Sequence, residues 1–203
     1  MPKVVLWDIG NVMVRWNPRT LYDKIFPEPV ARDRFLSSVC TMDWHIAHDL
    51  GVTFAENRAR LLPKFPEFEA EITVWETRWM EMFSGHIEET CQAMDDLQAA
   101  GVPQFVLSNM SGEVLDQITA IIPAWNCVVG RMISAEVGMM KPDPEIFKLA
   151  CEQFDLRPED IFFIDDSAAN IASATKLGFH THHFVDPAAL RPALARTGLL
   201  SPS

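Results

Sequence analysis

Residues Val4, Val5, Leu6 and Trp7 form a continuous apolar run that ends on Asp8, with Gly10 and Asn11 just behind it. A run that is apolar at every position suits a strand buried on both faces, the environment of a parallel sheet covered by helices. Gly10 and Asn11 supply turn chemistry, so the Asp8 carboxylate is expected at the C-terminal end of that strand. Open α/β sheets bind ligands at this edge. A single Asp in a strand-to-loop turn is also ordinary structure, so its meaning depends on what else reaches the same edge.

Two later segments repeat the pattern. Residues 104–107 read as a strand followed by Ser108 and Asn109, and the apolar run 161–164 is followed by Asp165, Asp166 and Ser167. Further strands are expected at 126–129 and 180–185, with helical spacing at 87–97, 112–121, 144–154 and 171–177. Such alternation predicts a parallel sheet, whose crossovers return successive strands in one direction and bring their polar ends together. Lys141, held between Met140 and the pair Pro142 and Pro144, has a restricted backbone. Three carboxylates, a hydroxyl, an amide and a lysine can build a metal-assisted phosphoryl-transfer site. Mg²⁺ takes oxygen ligands and commonly keeps only one or two protein carboxylates, and it would offset the repulsion between Asp8 and an incoming phosphate.

Residues 17–84 have a different character. Short helical patterns at 30–39, 42–49, 54–62 and 67–83 are punctuated by Pro27, Pro29, Gly51, Pro63 and Pro66. Thr53 with Glu56 three residues on can form a capping box. Ile72, Trp75, Trp79, Met82 and Phe83 fall near one helical face, a packing stripe. The expected organisation is a Rossmann-like α/β core from 1–16 and 85–199, a helical cap from 17–84, and a flexible C-terminal tail at 200–203.

Charge narrows the partners. With 28 acidic against 17 basic residues and a formal net charge of −11, the surface repels a phosphate backbone, which argues against nucleic acid. The acidic turn arrives within eight residues and no run of 18 apolar residues occurs, so neither a signal peptide nor a membrane span is expected and the location expected is cytoplasmic. Cys40, Cys91, Cys127 and Cys151 are too scattered for a zinc knuckle and read as free thiols. His45 and His48, three apart, read as a packed or surface pair able to reach a leaving group from the cap; His180, His182 and His183 read as strand residues. Arg15 and Trp16 can border the entrance or serve as hinge packing, and Asp43 and Trp44 join the two cap histidines as specificity candidates.

Taken together, Asp8-Ile9-Gly10-Asn11-Val12, Val106-Leu107-Ser108-Asn109, Gly138 through Pro144 and the pair Asp165-Asp166 resemble the motifs of the haloacid-dehalogenase-like hydrolase superfamily, especially its capped phosphatases. The resemblance covers essentially the whole chain. It implies Asp8 as nucleophile, Ser108 and Lys141 as catalytic groups that hold the phosphoryl, and Mg²⁺ at Asp8, the Gly10 carbonyl and Asp166. Asn109 would join Ser108 and Lys141 in substrate binding, while Asp165 and Asn170 would support. Asn170 stands where many relatives carry another acid. Most phosphatases of the family also carry an acid two residues after the nucleophile; here that residue is Gly10, an arrangement similar to a subgroup of bacterial α-D-glucose-1-phosphate phosphatases. The implied substrate is a small phosphorylated metabolite such as a sugar-1-phosphate, and homo-oligomer formation stays open. Two alternatives remain: a metal-independent 2-haloacid dehalogenase, and a non-catalytic metal- or phosphate-binding protein.

Overall fold

The computed structural model describes residues 1–201. Its strands are β1 (Val4–Trp7), β2 (Val14–Trp16), β3 (Phe83–His86), β4 (Gln104–Ser108), β5 (Val128–Ile133), β6 (Ile161–Asp165) and β7 (His180–His183). Five of them form one parallel sheet in the order β5-β4-β1-β6-β7. The chain builds outward from β1 to β5, then returns to the other side of β1. The reversal makes the end of β1 a topological switch point, where crossovers diverge and leave a crevice.

Alternation along β1 explains why the run is apolar throughout. Val5 and Trp7 pack on one face with Met94 and Leu97 of helix Glu88–Ala99 and with Leu190 and Leu194 of helix Leu190–Arg196. Val4 and Leu6 pack on the other with Ile146 and Phe147 of helix Pro144–Gln153 and Ala174 of helix Ala168–Lys176. Successive strand side chains point to opposite faces, so a strand between two helical layers needs apolar residues at every position. The polar edge of the Trp7 ring is satisfied as well: its Nε1 donates to Gln104 Oε1 at 3.1 Å, and Gln104 Nε2 donates to Met94 O at 2.8 Å.

Between β2 and β3 the regular elements are helical, chiefly Pro18–Tyr22, Pro29–Ser38, Met42–Asp49, Phe54–Leu61 and Glu69–Thr77. This is the inserted helical cap. Thr53 and Glu56 form the expected capping box. β2 and β3 pair antiparallel at the two ends of the insertion, with Trp16 opposite Phe83, and Arg15 Nη1 donates to His86 O across the ribbon at 2.8 Å.

Several expected boundaries moved. The helix expected over 67–83 stops at Thr77, turns through Trp79–Met82 and gives Phe83 to β3, because pairing with β2 outweighs helical spacing there. The strand expected at 126–129 is β5, since a turn over Pro123–Cys127 delays its start. The helix expected over 112–121 is a turn plus Leu115–Thr119, and β7 ends at His183 rather than 185. Leu200 is buried in the core together with Leu199, so a flexible tail does not begin at residue 200. Residues 202 and 203 of that tail lie outside the described residues. The four cysteines are free, and among the described residues no helix is long and apolar enough to cross a membrane.

Candidate active site

Asp8 leaves β1 at its C-terminal end, flanked by the ends of β4 and β6, whose last residues are Ser108 and Asp165. Asn11 makes the turn behind it with φ of 54°, a left-handed conformation that Asn tolerates better than most residues. Its side chain then ties two segments, accepting from Trp16 N at 3.0 Å and donating to Asp166 Oδ2 at 3.3 Å.

The strand ends meet around one ammonium group. Lys141 is 1% exposed. Its Nζ lies 2.9 Å from Asp8 Oδ1, 2.6 Å from Asp165 Oδ2 and 2.7 Å from Leu107 O, which engages all three donors of the ammonium. Ser108 Oγ donates to Asp8 Oδ1 at 2.7 Å. Asn109 clamps the Lys141 backbone from both sides, donating to its carbonyl at 2.8 Å and accepting from its N–H at 2.9 Å. Asn170 Nδ2 donates to Asp165 Oδ1 at 2.9 Å and Oδ2 at 3.1 Å, and Ser167 N donates to Oδ1 at 2.8 Å.

Asp8, Asp165 and Asp166 place ligand atoms within 4.8 Å of one another. Three carboxylates at that separation exceed what one ammonium neutralises. Burial is the largest influence on Asp8 and pushes its carboxyl up to about 6; Lys141 opposes the shift, whereas Asp165 and Asp166 add to it. Asp166 is raised by burial and then by Asp165. Lys141 moves the opposite way from what burial alone would impose, because Asp8 and Asp165 favour its charge. The donor set is all hard oxygen and carries surplus negative charge, so it fits a divalent cation such as Mg²⁺.

Gly10 follows Asp8 by two residues. A Cβ built there would meet nothing within 4 Å, so the lack of a side chain is not forced by crowding. Beside it lies a cavity of about 140 Å³ lined by Trp16, His45, Asp49, Trp79 and Phe83 together with Gly10, Ser108 and Asn109. A larger groove of about 650 Å³ lies along helix Pro29–Ser38, and no member of the acidic cluster lines it.

The sequence-expected residues Asp8, Gly10, Ser108, Asn109, Lys141, Asp165, Asp166 and Asn170 thus fall at one sheet edge. Among the cap candidates, His45 and Trp16 line the cavity. His48 is buried behind it, and Asp43 is exposed. His183 bonds the Asp166 backbone oxygen at 2.9 Å, and His182 stacks near Phe162. Asp49 was not singled out by sequence reasoning. Its placement four residues after His45, one helical turn along, was the available signal.

Comparison with known proteins gives a consistent picture of the fold. Residues 2–178 match the haloacid dehalogenase-like hydrolase family. An (S)-2-haloacid dehalogenase of a Pseudomonas species is 34% identical over 88 residues, which are 42% of this chain and 37% of that protein. A sesquiterpene phosphatase of Aspergillus oryzae is 28% identical over 91 residues, 45% of this chain and 46% of that protein. The matched stretches therefore span less than half of these curated relatives. An enzyme of the same family from Bacteroides thetaiotaomicron, solved with magnesium and inorganic phosphate, superposes with a TM-score of 0.72 at 22% identity, over 94% of this chain and 99% of that one. A dehalogenase solved with an intermediate complex gives 0.71 at 14% identity, over 100% of this chain and 98% of that one. At such identities the structural likeness speaks for the fold alone.

Proposed function

The chain belongs to the haloacid dehalogenase-like hydrolase family, and on that premise we propose that it is a Mg²⁺-dependent phosphomonoester hydrolase that works through an aspartyl-phosphate on Asp8. The observation that carries the reading is the set of three carboxylates within 4.8 Å. A carboxylate that displaces halide needs no cation, and two more carboxylates beside it would only hinder its ionisation. A phosphatase gains from the same arrangement, because a divalent ion held by Asp8 and Asp166 would relieve the repulsion among the carboxylates and that of the incoming phosphate.

Asp8, Asp166 and the Gly10 carbonyl would hold the ion, which supplies charge neutralisation to the phosphoryl oxygens. Ser108 and Lys141 both grip Asp8 Oδ1, fixing its rotamer and presenting Oδ2 for attack. Asp8 Oδ2 bonds to phosphorus as the leaving oxygen departs, and the aspartyl-phosphate is then hydrolysed. In this reading Ser108, Asn109 and Lys141 hold the transferred oxygens, with Lys141 balancing their charge. Asp165 orients Lys141 and is itself held by Asn170 and the Ser167 amide.

The substrate in this reading is a small phosphorylated metabolite. The cavity over Gly10 holds the volume of about five waters, room for a compact leaving group. A sugar-1-phosphate suits Gly10 best, since an anomeric oxygen demands less protonation than a primary alkoxide. The second reading, 2-haloacid dehalogenation, draws on the same Gly10, because that reaction uses no acid there, and on the 34% identity to a haloacid dehalogenase.

Two measurements separate these readings. Mass-spectrometric trapping across phosphorylated metabolites and 2-haloacids should find phosphate on Asp8 during turnover of sugar-1-phosphates; an ester on Asp8 formed only from 2-haloacids would establish the second reading instead. Metal ligation requires an ionised Asp8, whose carboxyl is raised to about 6 in the metal-free protein. Mg²⁺ binding at pH 6 should therefore release protons, seen by calorimetry in buffers of different ionisation heat, and the release should fade by pH 8. Equal proton release at both pH values would move the metal away from Asp8.

A further inference from the structure

A phosphatase built on Gly10 still needs a proton for its leaving oxygen, and the cavity that Gly10 lines contains one more carboxyl. Asp49 ends helix Met42–Asp49, and its side chain is only 10% exposed and lines the cavity. Its Oδ1 is buried without a hydrogen-bond partner among the described residues. An unpartnered buried carboxylate is costly, and the end of a helix, where the backbone dipole is negative, makes its charge costlier still.

We propose that Asp49 is the general acid and base of this site, carried on the cap in place of the acid that Gly10 lacks. The inference rests on the phosphatase reading above and extends it to the leaving-group side.

The surroundings of Asp49 hold it in that role. Asn57 Nδ2 donates to Trp44 O at 2.8 Å, which fixes the amide's orientation, and the same nitrogen lies 3.0 Å from His48 Nε2. His48 Nε2 must therefore accept, so the hydrogen of neutral His48 sits on Nδ1. That nitrogen lies 3.4 Å from His45 Nδ1, which must accept in turn, leaving the hydrogen of His45 on Nε2. His45 Nε2 faces Asp49 Oδ1 at 3.7 Å. Burial, assisted in His45 by its neighbour His48, pulls the two rings down to about 3 and about 4, so both stay neutral and the tautomer chain persists. Trp16 and Trp79 stack against His45 at centroid distances of 5.2 and 5.4 Å and hold its ring in place.

The core fixes the other end of Asp49. Ser134 Oγ donates to Asp49 O at 2.6 Å while accepting from Met110 N at 3.0 Å, two residues beyond Ser108. Gly51 follows with φ of 93°, and a Cβ there would fall 2.9 Å from Ala135 O, so the cap backbone lies directly on the core. These contacts set Asp49 in register with the phosphoryl-binding loop. Burial, then the nearby Asp8 charge, pushes the Asp49 carboxyl up to about 7 against the opposing pull of Lys141, so it retains a proton to give near neutral pH.

In the first step the bond from Asp8 to phosphorus forms as the bond to the leaving oxygen breaks. The electron pair goes to that oxygen and its proton comes from Asp49. In the second, water attacks phosphorus, its proton returns to Asp49, and the bond to Asp8 breaks with its electron pair, releasing phosphate. Both carboxyls finish as they began.

The test is single-turnover kinetics of Asp49→Asn with two substrates, a primary alkyl phosphate and p-nitrophenyl phosphate, whose phenolate leaves without a proton. First-turnover release should fall about 10²–10⁴-fold for the alkyl phosphate and stay within about threefold for the aryl one, followed by an accumulated phosphoenzyme as the second step stalls. An equal loss with both substrates in a variant that melts like the parent, or no loss with either, overturns the assignment. If the unaltered protein forms no phosphoenzyme with any phosphate ester, the phosphatase reading fails first and takes this one with it.

Discussion

Asp8→Asn is expected to lower turnover by about 10⁴–10⁶-fold, the scale seen when a covalent nucleophile is removed, and to leave the fold intact. The same substitution should stabilise the metal-free protein at alkaline pH. Asp8 has a folded-state carboxyl raised from 3.8 to about 6, chiefly by burial. Its contribution to stability is fully present below pH about 4 and is lost as pH rises through about 6, so at pH 8 the ionised group costs the fold on the order of 3 kcal/mol. Asn keeps the shape without that charge. Urea unfolding of the chelated variant should show a higher midpoint than the parent at pH 8, with the gap closing toward pH 4. Loss of activity with a lower midpoint at pH 8 would mean instead that the Lys141 pairing outweighs the burial of the carboxylate.

The chemistry at the sheet edge was legible in the sequence because strand ends carry it. Asp8, Ser108 and Asp165 each follow an apolar run, and parallel connectivity alone brings such ends together. The cap was legible as helical but not as a wall of the site. Nothing in local spacing reveals that Ser134 would donate to the Asp49 carbonyl or that Ala135 would press on Gly51, since both contacts cross about 85 residues and arise only when the insertion folds back. β3 was hidden for a related reason. Residues 83–86 contain Gly85 and His86 and gain strand character only from β2, 70 residues earlier. The spacing within a strand-end motif is local, whereas the position of an inserted domain depends on packing that periodicity does not encode.

Lys141→Met should damage the fold strongly at neutral pH. Met fills a comparable volume but removes the charge that three groups share: Asp8 at 2.9 Å, Asp165 at 2.6 Å and the Leu107 carbonyl at 2.7 Å. Breaking a buried ion pair from one side costs about 3–5 kcal/mol, because the remaining charge stays buried and uncompensated. Here two carboxylates are left facing each other, and protonation is their simplest relief. The destabilisation read from urea unfolding should accordingly be larger at pH 8 than at pH 5. Mg²⁺ should recover more stability in the variant than in the parent, because a divalent ion can take over part of the lost compensation between Asp8 and the carboxylates beside it. Turnover measured in saturating Mg²⁺ should nevertheless remain down by about 10²–10³-fold, since the transferring oxygens lose a fixed positive partner. A folded Lys141→Met protein with parental turnover would confine Lys141 to holding the strand ends together. A variant whose stability deficit is the same at pH 5 and pH 8 would show that the lost packing, and not the stranded carboxylates, dominates the cost.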